Sequence, residues 1–169
     1  MNRLLYVAIF TPLMILAGCS DTIEQKPDTV TSVPQENNTD DTGASDLDAL
    51  RVSAEEGYAE AQFNLGEMYD SGDGVTQNYA EAMKWFRLAA DQGYAEAQNN
   101  VGTMYGNGRG VQQNYTEAYT WLSIAAAGGY DTANQNLNIV AEELTPEELS
   151  QAQQRATELF EKIESGKNQ

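Results

Sequence analysis

The chain has 169 residues, which is enough for one domain with appended segments. It carries 26 acidic and 9 basic residues, a formal charge of −17. Such a surface repels phosphate backbones and anionic head groups, so nucleic acid binding and electrostatic attachment to a membrane are disfavoured. With no histidine and one cysteine, the chain has no imidazole base, no Ser-His-Asp triad and no His-containing zinc site.

The first residues, MNRLLYVAIFTPLMILAGCS, join one arginine to an apolar run that ends in Leu16-Ala17-Gly18-Cys19. The run is shorter than the roughly 20 residues that a membrane-spanning helix needs, which favours an export signal over residues 1–18. Its last four residues resemble a bacterial lipobox, which implies cleavage before Cys19 and acylation (palmitate or a similar chain) of that cysteine. Ser20, in place of Asp, implies by the same resemblance an outer-membrane lipoprotein that faces the periplasm. An ordinary signal peptide and a buried lone cysteine are the alternatives.

Residues 19–45 are poor in apolar side chains and rich in Thr, Asp, Asn and Pro. Such a segment cannot bury enough surface to offset its conformational entropy. We predict a disordered tether, so that the lipid alone would hold the protein at the membrane.

Helical periodicity begins at Asp46, where Leu47, Leu50 and Ala54 repeat the spacing of a later helix. This helix matches the second half of a repeat whose first half is missing, and we expect it to cover the amino-terminal end of the domain.

Residues 59–94 and 95–130 are nearly the same sequence, with a period of about 36 residues and roughly 20 identical positions. Each copy predicts a helix, a glycine-rich turn and a second helix that Asn78 or its counterpart caps. Gly66 and Gly102 lie in the middle of first helices, where glycine costs about 1 kcal/mol relative to alanine. We therefore predict that a neighbouring helix passes too close for a side chain there, carrying Trp85 or Trp121.

A partial third copy starts at Asp131, and Thr145-Pro146-Glu147-Glu148 is a strong helix start. We expect the last helix, over residues 144–164, to close the end of the stack.

The motifs A-x-A-Q-x-N-L-G-x-M-Y-x-x-G-x-G-V, N-Y-x-E-A-x-x-W and A-A-x-x-G-Y resemble the SEL-1-like repeat, a relative of the tetratricopeptide repeat. The resemblance covers roughly residues 46–143 and implies an all-α solenoid, a TPR-like superhelix of helix pairs. It says little about function, because function lies in sites carried by folds.

Catalytic and metal-binding motifs are not found. Some proteins with such repeats are described as β-lactamases, yet the motifs of serine β-lactamases do not occur here. The Gly72–Gly74 and Gly106–Gly110 segments lack the Lys-Ser/Thr of a phosphate-binding loop, and no calcium loop is complete. We expect no enzyme activity, no cofactor and no metal.

With catalysis and metal binding disfavoured, the function that remains for this chain is recognition of another polypeptide. Positions that differ between the two copies are free to contact a partner, and in related solenoids the first helices line the concave binding face. On that face the candidate contacts are Phe63, Asn64, Glu67, Asn99, Asn100 and Thr103, with plain solvent exposure as the alternative.

The sequence therefore predicts a non-catalytic scaffold or adaptor of the bacterial cell envelope that binds an unidentified envelope protein or peptide. The alternatives are a β-lactamase-like or peptidoglycan-related hydrolase, and a spacer with no specific partner.

Overall fold

The computed structural model describes residues 41–167, which form seven α-helices. In chain order they are α1 (Asp41–Glu55), α2 (Ala59–Ser71), α3 (Tyr79–Asp91), α4 (Ala95–Asn107), α5 (Tyr115–Ala127), α6 (Asp131–Ala141) and α7 (Pro146–Gly166). The predicted all-α fold class is confirmed. The predicted signal peptide, Cys19 and most of the predicted tether lie outside the described residues.

Helix α1 begins at Asp41, before the predicted start at Asp46, so residues 41–45 are helical and do not belong to a coil. The added turn contains no large apolar residue, which is why a search for apolar periodicity did not detect it. Ala54 is buried in this helix, and Leu47 and Leu50 pack beside it against α2.

The boundaries within the two repeats follow from backbone chemistry, as predicted. Each first helix ends at a glycine in the left-handed region, Gly72 with φ 81° and Gly108 with φ 65°, a conformation that glycine adopts without strain. An asparagine caps the start of each second helix: the Asn78 side-chain oxygen accepts hydrogen bonds from the N–H groups of Ala80 and Glu81, and that of Asn114 accepts one from Glu117.

Successive helices from α1 to α6 pack against one another along the chain. A buried glutamine ties each first helix to the helix before it: the side-chain amide of Gln62 donates to the Ala54 carbonyl at 3.0 Å, and that of Gln98 donates to the Ala90 carbonyl at 3.1 Å. The same hydrogen bond in both repeats sets the same helix-to-helix register.

The glycine-rich turn of the second repeat packs onto the first repeat. The Arg109 guanidinium pairs with Asp70 at 3.1 Å and lies 4.2 Å from the centre of the Tyr79 ring. Gly110 lies against the backbone of Tyr79, too close for any side chain. Gly110 and Arg109 of this turn therefore serve packing between the two repeats.

The close approach predicted at the two mid-helix glycines is confirmed. A Cβ atom on Gly66 would lie 2.7 Å from the Phe86 ring, and one on Gly102 would lie 2.7 Å from Cγ of Leu122. Phe86 and Leu122 occupy equivalent positions on α3 and α5, so both repeats use glycine for the same reason.

The tryptophans named for this contact were the wrong residues. Trp85 packs half-buried near α1 and α2, one residue before the position that meets the glycine. Trp121 is fully buried, with the Arg87 guanidinium 4.5 Å from its ring centre. Adjacent residues on a helix point about 100° apart, so Trp85 and Trp121 pack in other directions.

Helix α7 starts at the predicted capping box, in which Thr145 and Glu148 bond to each other's backbone. It lies along α5: the Thr120 hydroxyl donates to the Ala152 carbonyl at 3.4 Å, and Arg155 pairs with Glu117 at 2.6 Å. Its last turn reaches Gly93 at the end of α3. The helix was expected to close the free end of the stack, which is α6. It packs instead along the second helices of the repeats.

The residue that matches the two mid-helix glycines in α6 is Asn138, which is exposed. A helix packed onto α6 as closely as α3 packs onto α2 would collide with this side chain.

Within residues 41–167, no helix is both long and apolar enough to cross a membrane.

Candidate functional site

The first helices of the repeats present one surface, which we call the first-helix face. Its members occupy equivalent positions on α2, α4 and α6. They are Glu60, Phe63, Asn64 and Glu67 on α2, Glu96, Asn99, Asn100 and Thr103 on α4, and Asn136 and Ile139 on α6, with Tyr94 at the start of α4.

A row of side-chain amides crosses this face from α6 to α2. Asn136 donates to Asn99 at 3.0 Å, Asn99 donates to Asn100 at a long 3.5 Å, and Asn100 donates to a carboxylate oxygen of Glu67 at 3.3 Å. These bonds connect three helices that are far apart in sequence. Since the partly exposed amides of Asn100 and Asn136 retain further hydrogen-bonding capacity, the row offers oriented polar groups at the surface.

Next to the amide row lies a pair of aromatic rings. The Phe63 and Tyr94 ring centres are 5.0 Å apart and tilted by 34°, and Phe63 also contacts the buried Phe86 ring with centres 5.7 Å apart. Phe63 and Tyr94 are both partly exposed. Because Phe86 supports it from the core, the pair is held in place with part of its apolar surface open to solvent.

Carboxylates surround this ring pair. The pKa of the Tyr94 phenol is raised above its ordinary value, first by burial, then by the negative charge of Glu96 and its hydrogen bond to the phenol, and further by Glu60 and Glu67. Each of these effects favours the neutral phenol over the phenolate. Burial is the first cause, and the remaining causes come from three carboxylates near the phenol, those of Glu96, Glu60 and Glu67.

The structure places the six predicted contact residues at different depths. Asn64 and Glu67 are exposed, whereas Phe63, Asn100 and Thr103 are partly exposed. Asn99 is only 6 % exposed, and both polar ends of its amide are used within the row. Asn99 thus orients its neighbours and offers little surface of its own to a partner.

Sequence reasoning missed Tyr94, Glu60, Glu96 and Asn136. The first three are identical in the two repeats, and the search favoured positions that differ between them, keeping only Asn64 and Asn100 as an identical pair. Asn136 lies in the partial third copy at the position of Asn100. Applying the candidate positions of the two full repeats to this partial copy would have identified it.

A small open pocket continues the face toward α6. Its volume is about 250 Å³, and Thr103, Leu122, Asn136 and Ile139 are among the residues that line it. Ile139 is 65 % exposed, so this end of the face presents an apolar side chain to solvent. Within the part of the chain that the structure describes, no group of His, Cys, Asp or Glu side chains is arranged to hold a metal ion.

Comparisons with known proteins agree on the repeat. The Sel1 repeat family matches residues 59–94 and 95–130. Among solved structures, the chain is similar to a protective antigen of uropathogenic Escherichia coli strains that displays an SLR fold, with 34 % identity and a TM-score of 0.67 over 69 % of this chain. It is also similar to a Sel1 repeat protein from Oxalobacter formigenes, with 40 % identity and a TM-score of 0.53 over 55 % of this chain.

The chain spans only part of these two proteins, 25 % of the first and 38 % of the second. No curated protein matches it.

Proposed function

Since residues 59–130 of this chain are two Sel1 repeats, we propose that the protein is a non-catalytic scaffold whose first-helix face binds a partner polypeptide. Sel1 repeat proteins generally mediate protein–protein interactions, and their scaffold is typically non-catalytic. The observation that carries the proposal is the first-helix face itself. There, a supported ring pair and an oriented amide row lie side by side at the surface of α2 and α4.

The two parts of the face have complementary uses. Partly exposed aromatic rings supply contact area at low conformational cost, because they have few rotatable bonds and are already supported from below. The amides supply hydrogen bonds whose directions are set by the row. A surface of this kind binds an extended or helical segment of another protein without any chemistry of its own.

We also propose that the scaffold is held at the bacterial cell envelope by acyl chains on Cys19, on the periplasmic side of the outer membrane. The support is the apolar run that ends in Leu16-Ala17-Gly18-Cys19 and the serine that follows it. Two or more acyl chains anchor a protein stably, whereas one gives only marginal binding.

A photocrosslinking residue tests the binding face in cells. Placed at the exposed Asn64, it should form a discrete adduct with a partner protein, whereas the same residue at the exposed Gln154 on α7 should not. Identical adducts from both positions, or none from Asn64, would contradict the scaffold proposal. Hydrolysis of a chromogenic β-lactam by the purified protein at a rate above buffer would contradict its non-catalytic part.

Replacement of Cys19 by serine tests the anchor. The variant should lose incorporation of labelled palmitate and move from the membrane fraction to the soluble fraction. Unchanged labelling would rule out Cys19 as the acylated residue.

A further inference from the structure

We propose that the first-helix face takes a basic segment of the partner, with one arginine or lysine cation seated over the Phe63–Tyr94 ring pair between Glu60, Glu67 and Glu96. This inference rests on the proposed function, because it names the chemistry of the partner that the scaffold binds.

Charge is segregated between the helices. Within residues 41–167, the first helices α2, α4 and α6 contain no basic residue. The basic residues of this range lie elsewhere: Arg51 on α1, Lys84 and Arg87 on α3, Arg109 in the turn after α4, Arg155 and Lys162 on α7, and Lys167 just after α7. The first helices do carry carboxylates, so this face has one sign of charge, and a partner of opposite charge complements it.

The carboxylates around the ring pair are not neutralised by ion pairs within the described part of the chain. The ion pairs found there involve other acidic residues, among them Asp70 with Arg109 and Glu117 with Arg155. Glu67 accepts one hydrogen bond from the neutral amide of Asn100. Its charge is therefore oriented by the amide row but not cancelled.

The chain's own arginines cover other aromatic rings. Arg109 lies over Tyr79 and Arg87 lies over Trp121, at 4.2 Å and 4.5 Å from the ring centres. No such cation covers the Phe63–Tyr94 pair in residues 41–167. A cation over an aromatic face is attracted by the ring quadrupole, and nearby carboxylates strengthen that attraction.

The repeats also predict where along the face the cation binds. The second repeat has Asn99 and Thr103 at the positions of Phe63 and Glu67. It thus lacks both the ring and one carboxylate, so the cation site belongs to the first repeat. These differences supply the substitutions that test the proposal, since each one replaces a residue with its counterpart in the other repeat.

Isothermal titration of the purified protein with oligo-arginine, oligo-lysine and oligo-glutamate peptides of equal length measures the interaction. We expect oligo-arginine to bind at least as tightly as oligo-lysine, because the guanidinium also stacks on rings, and oligo-glutamate not to bind. Glu67→Thr should weaken oligo-arginine binding by about 3- to 10-fold, and Phe63→Asn by a similar factor. Glu161→Thr, the same change at an exposed position on α7, should alter it by less than about twofold.

Phe63 contacts the core ring of Phe86, so the folding of Phe63→Asn is checked by circular dichroism. Glu67 is exposed, so Glu67→Thr should fold normally, and its binding of oligo-arginine tests the proposal even if Phe63→Asn does not fold. Equal weakening by Glu67→Thr and Glu161→Thr would show attraction to net charge alone and overturn the proposal. If the crosslinker at Asn64 forms a partner adduct but Glu67→Thr binds oligo-arginine as tightly as the wild type, the cation site is wrong and the scaffold proposal is unaffected. If no adduct forms at Asn64, the scaffold proposal itself is wrong.

Discussion

Replacing Gly102 with alanine is a direct test of the packing that positions α4 against α5. The added Cβ would lie 2.7 Å from Cγ of Leu122 and 3.1 Å from the carbonyl oxygen of Ala118. Carbon atoms in contact are normally about 3.5–4.0 Å apart. The methyl group therefore fits only if the two helices move apart.

Two opposing effects set the size of the change. Alanine is favoured over glycine in a helix by about 1 kcal/mol, and overpacking a core costs about 1–3 kcal/mol, occasionally more. The two obstructing atoms are a backbone oxygen and the branch carbon of a fully buried leucine, and neither can move away without moving α5. We therefore place the cost at the upper end of its range and expect Gly102→Ala to lower the free energy of unfolding by about 1–2 kcal/mol.

Asn138→Ala is the matched control, because it introduces alanine at the equivalent position of α6. Asn138 is exposed, so only helix propensity should change, and the variant should be more stable than the wild type by about 0.5 kcal/mol. Urea unfolding of the purified proteins, followed by circular dichroism, gives both values on one scale.

A gain in stability for Gly102→Ala equal to that for Asn138→Ala would refute the packing argument. A double-mutant cycle with Leu122→Ala sharpens the test: the double variant should lose less stability than the sum of the two single losses, because the shortened side chain makes room for the new methyl group. An additive result would mean that Leu122 is not the obstruction.

Three further predictions follow from contacts outside the first-helix face. Arg109→Ala should lower the free energy of unfolding by about 1 kcal/mol, since it removes a surface ion pair with Asp70 and the contact with the Tyr79 ring. The part of this loss that is due to the ion pair should be smaller in high salt, and urea unfolding at two salt concentrations measures the difference. Thr145→Ala should cost about 0.5–2 kcal/mol through loss of the cap of α7, with thermal unfolding as the measurement. Hydrogen bonds from the Thr145 backbone and hydroxyl lower the pKa of Glu148. The stability that these bonds give to the folded state is present above the ordinary carboxyl pKa and is lost as pH falls through the lower pKa of the folded state. The difference in stability between the wild type and Thr145→Ala should therefore be smaller in acid.

The extent of prediction from sequence differs between the fold and the binding face. Repeat boundaries, left-handed glycines such as Gly72, and caps such as Asn78 and Thr145 could be located before any coordinates, because each depends on a few neighbouring residues. The close approach at Gly66 could also be inferred, since a costly glycine appears at the same place in both repeats. Its partner residue, Phe86, could not, because the direction of a side chain depends on how two helices cross.

The sequence by itself determined that this chain is a duplicated helix–turn–helix unit, that its helices are short, and that its charge is strongly negative. Only the tertiary structure decided that Asn99 is buried within an amide row, that Tyr94 joins Phe63, and that α7 folds back along α5. The physical reason is range: caps, turns and periodicity arise from interactions within a few residues. The first-helix face, in contrast, is assembled from residues about 30 or more positions apart, whose distances are set by the packing of several helices at once.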